Sequence, residues 1–66
     1  MNELTLKAWR TNKNLSQVEV AEILGVSVST IKNWENGITF PKPQYIDKLC
    51  ELYGTSYDRI KFIPNT

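Results

Sequence analysis

The stretch SQVEVAEILGVSVSTIKNWENG, Ser16 to Gly37, decides how this chain folds. Ser16 is a good N-cap, and Glu19 three residues later completes a capping box that starts a helix. Val20, Ala21 and Leu24 share one face of that helix. Gly25 stops it, because glycine enters the left-handed region at little steric cost. Ser27 caps a second helix, with Ile31 and Trp34 inward and Asn36-Gly37 as its end. At 100° per residue, Glu35 borders the inward arc. Ser29, Lys32, Asn33 and Asn36 fall on the opposite arc, and Val28 is expected exposed on the flank of the first turn. Helix, glycine turn, helix is the pattern of a helix-turn-helix.

Working outward, residues 3–13 read as a preceding helix, with Leu6, Trp9 and Arg10 on one stripe. Asn14 suits a left-handed terminus, after which Leu15 folds back on the helix end. Beyond the motif, Ile38 to Pro43 form a loop, since two prolines in three residues forbid a helix interior. Pro43 fits the first position of a fourth helix with Ile46, Leu49, Cys50 and Tyr53 inward and Gly54 as its stop. Thr55 or Ser56 caps an expected short fifth helix holding Tyr57 and Ile60, and an apolar tail runs to Pro64. The fold class expected is all-α, a compact bundle of about five short helices.

Composition narrows the functions. A 66-residue chain is one domain and buries about 60% of its unfolded surface, so it needs efficient packing or a partner subunit. One cysteine and no histidine leave no disulfide and no zinc site. No nucleophile stands beside a base, which argues against an enzyme. No cofactor or small-molecule ligand is evident. No apolar run approaches the ~20 residues of a membrane helix, and Glu3 and Thr5 interrupt any signal-peptide start, so a cytoplasmic location is expected. A net charge of +1 is a weak signal for nucleic acid, so any basic surface must come from distribution.

In order and spacing, the residues L-S-Q-x-x-x-A at Leu15–Ala21, Gly25, Ile31, W-E-N-G at Trp34–Gly37 and the helix ending in Tyr53-Gly54 resemble the phage repressor and Cro type of helix-turn-helix domain. The resemblance covers residues 6–60, with the motif at about 17–36, and leaves 61–66 as a C-terminal tail. It implies a lambda-repressor-like bundle whose third helix lies in the major groove. Carried over by position, Val28, Ser29 and Asn33 are the implied base readers, with Thr30 and Lys32 beside them. Val28 suits a thymine methyl and Asn33 an adenine edge. Gln17, Asn36 and the loop after it match phosphate contacts, to which Lys42, and Lys13 or Thr39, are candidates to add. Arg10 and Glu35 match a largely buried ion pair that ties the first helix to the third. The implied partner is a double-stranded operator, bound by a homodimer with half-sites about 34 Å apart.

The chain departs from that pattern in two places. Its third helix lacks long glutamine or arginine readers, and its loop carries Phe40, Pro41 and Pro43 instead of a basic run. A modest salt dependence per subunit is expected. Bland roles stand beside sharp ones: Trp34 as core, Cys50 as an inert small core residue, Lys32 and Lys42 as solvated lysines, Val28 and Asn33 as a solvated face. The rival class is a helix-turn-helix module that meets a protein, as an antitoxin or antirepressor partner does. Tyr57, Arg59, Ile60, Phe62 and Ile63 are the expected dimer surface, having no obvious place in the core.

Overall fold

The computed structural model describes residues 4–63. In chain order it contains β1 (Leu4–Thr5), α1 (Leu6–Asn12), α2 (Gln17–Leu24), α3 (Val28–Glu35), α4 (Pro43–Tyr53), a 3-10 turn (Tyr57–Arg59) and β2 (Ile60–Lys61). None of these helices is long and apolar enough to cross a membrane.

The first helix is shorter than the apolar stripe suggested. It starts at Leu6 because Thr5, held in an extended conformation, accepts a hydrogen bond from the Ala8 amide at 3.1 Å. The part of the expected helix at residue 3 lies outside the described residues. At the other end Asn14 takes the left-handed conformation (φ 59°), and the Leu15 amide donates back to the Arg10 carbonyl. The capping box on α2 is complete: the Glu19 amide donates to Ser16 Oγ at 3.0 Å, and the Ser16 amide to Glu19 Oε1 at 2.8 Å. Gly25 (φ 73°) ends α2, Ser27 caps α3, and Pro43 opens α4.

The fifth helix is not formed. Only Tyr57–Arg59 adopt a single 3-10 turn, after which Ile60 is extended and pairs in parallel with Leu4. The register is Leu4↔Ile60 and Thr5↔Lys61. The physical reason is local and tertiary together. The β-branched Ile60 favours extended backbone, and β1 offers Ile60 and Lys61 the strand pairing that an isolated three-residue turn lacks. The crossover that joins these two parallel strands is the whole four-helix body. The fold is therefore four α-helices closed by a two-stranded ribbon. Pro64, the expected end of the tail, lies outside the described residues.

The core is one cluster: Leu6, Val20, Ala21, Leu24, Ile31, Trp34, Leu49, Tyr53 and Ile60. Ala21 is 3% exposed where α3 crosses α2, which leaves no room for a longer side chain. The Trp34 ring lies 5.5 Å from that of Tyr45 and joins α3 to α4. Trp9 is half-buried and donates its indole N–H to the Arg59 carbonyl at 3.2 Å, which pins the 3-10 turn to α1. Ile46 and Cys50, expected inward on α4, are half-buried. Ile60 belongs to the core through β2, so it leaves the expected dimer surface.

Candidate nucleic-acid interface

The orientation of α3 rests on one polar network. Arg10 Nε donates to Glu35 Oε2 at 2.6 Å and Arg10 Nη2 to Glu35 Oε1 at 3.2 Å, a bidentate ion pair between α1 and α3. Arg10 Nη1 donates to the Leu15 carbonyl at 2.8 Å, so the same guanidinium holds the link between α1 and α2. Glu35 Oε1 also accepts from Gln17 Nε2 at 3.0 Å. Both ionised side chains are about nine-tenths out of water. Hydrogen bonding to the Glu35 carboxylate holds the Arg10 guanidinium above its ordinary pKa, against the opposing effect of burial.

Around that anchor the sequence-derived residues divide. Ser29, Lys32 and Asn36 are exposed on the outward arc of α3, and Asn33 is half-buried beside them. Val28 is also half-buried and packs against the core, contrary to the expectation of an exposed valine. In the first turn of α3 its Cβ leans back toward the α2 turn, so part of the methyl surface is covered. Thr30 is half-buried, and its hydroxyl shares a 2.9 Å hydrogen bond with Ser27 Oγ. Its side chain is thus engaged in the helix cap. Lys42 is exposed at the N-cap of α4 and makes no side-chain cap.

Gln17 opens α2 with its side chain turned toward Glu35, a contact that the sequence reading did not foresee. The capping box uses the Ser16 and Glu19 amides, leaving those of Gln17 and Val18 as the unpaired donors of this turn among the described residues. These amides, at the positive end of α2, suit an anion. Beside them the outward arc of α3 offers a hydroxyl, a carboxamide and an ammonium group. Chemically this is a surface of short donors and acceptors with weak positive charge.

The C-terminal end of α3 is set by Gly37. Its φ is 75°, and a Cβ there would stand 2.5 Å from the Ile63 carbonyl oxygen. The chain after β2 therefore lies against the turn that follows α3. The Asn33 carbonyl accepts from the Ile38 amide at 2.9 Å and completes the terminus. The sequence showed Asn36-Gly37 as a helix stop; the approach of Ile63 left no local signal.

Residues 6–60 match the helix-turn-helix family. Over 52 residues the chain is 33% identical to the antitoxin PezA of Streptococcus pneumoniae, covering 79% of this chain and 33% of that protein. It is 33% identical over 55 residues to the HTH-type transcriptional activator BcrR of Enterococcus faecalis, covering 83% and 27%. It is 35% identical over 49 residues to the cryptic phage CTXphi transcriptional repressor RstR of Vibrio cholerae, covering 74% and 44%. The aligned part is thus less than half of each relative's length. No solved structure gives a significant match. The match across residues 6–60, together with a capped α2, a glycine turn and an ion-paired α3, makes this chain a member of the Cro/C1-type helix-turn-helix family.

Proposed function

We propose that this chain is a sequence-specific DNA-binding module of a transcriptional regulator, of the repressor kind, and that it grips a palindromic operator as a homodimer with α3 in the major groove. The observation that carries this reading is the outward arc of α3, presented beside the free amides at the start of α2 and locked by the Arg10–Glu35 pair. In this reading Ser29 and Asn33 meet base edges, and the uncovered part of Val28 meets a thymine methyl. Thr30 supports them through the cap. Lys32, Asn36 and Lys42 lie along the phosphates. Gln17 gives one amide N–H to Glu35 and keeps the other for a phosphate, next to its backbone amide. The relatives named as a transcriptional repressor and a transcriptional activator support a regulator. Repression is steric: a filled operator excludes polymerase.

Selection of bound sequences from a random duplex pool, followed by binding isotherms at several salt concentrations, tests the reading. Enriched sites with two-fold symmetry and an affinity that falls with salt are expected. Lys32→Glu should weaken binding at least about tenfold, through lost attraction and added repulsion at a phosphate, with an unchanged thermal melt. No binding to any duplex at low salt would end this reading. The similarity to an antitoxin favours a second one, in which the surface meets a protein partner. That reading expects protein capture to survive Lys32→Glu.

A further inference from the structure

Where α4 passes into the 3-10 turn, an open cavity of about 310 Å³ lies against α1, lined by Trp9, Gly54, Thr55, Ser56 and Arg59. Its volume is that of roughly ten waters at ~30 Å³ each, room for a small organic molecule. Thr55 Oγ1 is shut off from solvent and has no hydrogen-bond partner among the described residues. A buried hydroxyl without a partner is costly and uncommon, so it points to a group that the site takes in. No hydrogen bond holds its χ1 angle, so the hydroxyl can turn to the cavity without losing one.

Two cations stand at the same wall. Lys13 follows Trp9 by about one turn on the same face of α1. Its Nζ lies 3.7 Å from the place that a Cβ on Gly54 would take, which sets the ammonium beside the cavity. Arg59 is anchored through its carbonyl, which accepts from the Trp9 indole at 3.2 Å, and the residue is exposed. Among the described residues neither cation makes an ion pair.

We propose that this cavity binds a small organic phosphate: Lys13 and Arg59 hold the phosphate, Thr55 gives it a hydroxyl, and the body of the molecule lies on the Trp9 indole. The proposal does not rest on the DNA-binding reading, since no residue of the outward arc of α3 lines the cavity. Two unpaired cations match the double charge of a phosphate monoester, and a planar guanidinium fits its oxygens in pairs. The indole offers apolar contact to the organic body. Two features oppose an anion here. The Asp58 carboxylate accepts from Ser56 Oγ at 2.5 Å and attracts Arg59. The last carbonyls of α4 favour a cation, and Lys13 stands at that end. Lys13 thus serves either the ligand or the helix end, and the test separates the two roles.

The test titrates the isotope-labelled 66-residue chain with inorganic phosphate, with phenyl phosphate and with sodium chloride at matched ionic strength, read by amide and indole resonances. The Trp9 indole N–H and the amides of Gly54, Thr55 and Ser56 should shift and saturate with both phosphates and not with chloride. The buried Trp34 indole should stay unmoved. Phenyl phosphate should bind about tenfold tighter than inorganic phosphate, because its ring is covered by Trp9. Lys13→Gln with Arg59→Gln should weaken phenyl phosphate about tenfold or more, and Asp58→Asn, which frees Arg59, should tighten it. Thr55→Val removes the hydroxyl at nearly equal size. It should be at least as stable as the native chain without phosphate, and gain less thermal stability from phenyl phosphate. Circular dichroism checks each fold; if the double variant unfolds, Arg59→Gln alone replaces it. No saturable shift with either phosphate overturns the proposal. So does an affinity unchanged by the folded variant, and a loss of stability alone then assigns Lys13 to the end of α4. A DNA backbone phosphate offers the same chemistry as a free ester. If the variant weakens duplex binding while both free phosphates leave the spectrum unchanged, the cations grip DNA and the small-molecule site is overturned.

Discussion

Glu35 is the side chain on which three parts of the chain converge, because Arg10 from α1 and Gln17 from α2 both donate to it. Truncating it leaves the Arg10 guanidinium buried without its anion. Glu35→Ala should therefore cost about 3–5 kcal/mol in urea unfolding, most of it from the orphaned charge. Replacing both partners by apolar residues, Arg10→Met with Glu35→Leu, should recover most of that loss. A double variant as unstable as the single one would show that attraction within the pair dominates. The glycines make a second contrast. Gly25 and Gly37 both have φ near +75°, but a Cβ at Gly25 meets nothing within 4 Å, whereas at Gly37 it meets the Ile63 backbone. Gly25→Ala should cost about 1 kcal/mol from backbone strain alone. Gly37→Ala should cost clearly more and displace the segment after β2, read as loss of amide exchange protection at Ile60 and Lys61.

Among the α-helices, α4 stands out because its N-terminus has no side-chain cap: Lys42 occupies the position that a threonine or serine fills on α1, α2 and α3. Lys42→Asp should add about 0.5–1 kcal/mol of stability, through a capping hydrogen bond and a favourable charge at the helix start. If Lys42 touches a phosphate, the same substitution weakens operator binding. A more stable protein that binds DNA less well is thus the expected pair of results, read by thermal melting and by binding isotherms. Periodicity read the helices of the motif correctly in place and cap, because each is bounded by residues whose chemistry ends a helix locally: Ser16 with Glu19, Gly25 and Ser27. It misread the segment after Ser56. Tyr57 and Ile60 have helical spacing, but three residues cannot sustain a helix, and the strand partner of Ile60 sits 56 residues earlier at Leu4.

For the whole molecule, stability depends on a small core in which Tyr53 is 1% exposed. Burial, with the Glu35 charge nearby, pushes the Tyr53 phenol up to about 12 from 10.0. The folded pKa lies above the unfolded one, so this contribution is fully present below pH 10 and is lost as pH rises toward 12. The thermal midpoint should fall across that window. In Tyr53→Phe the fall should be smaller, and an identical alkaline limb would show that other groups drive it. The division of labour over the molecule has the same origin as its stability. Local chemistry in the sequence determined the capping box, the glycine turn, the inward Ile31 and Trp34, and the outward arc of Ser29, Lys32 and Asn36, because each follows from neighbours within about one helical turn. Only the tertiary structure decided that Gln17 meets Glu35, that Val28 is half covered, that Ile60 enters the core as a strand, and that Phe40, Tyr57 and Phe62 form one surface. The Gln17–Glu35, Phe40–Phe62 and Leu4–Ile60 contacts join residues 18 to 56 positions apart, and no local periodicity or propensity encodes which distant segments meet once the chain has closed on itself.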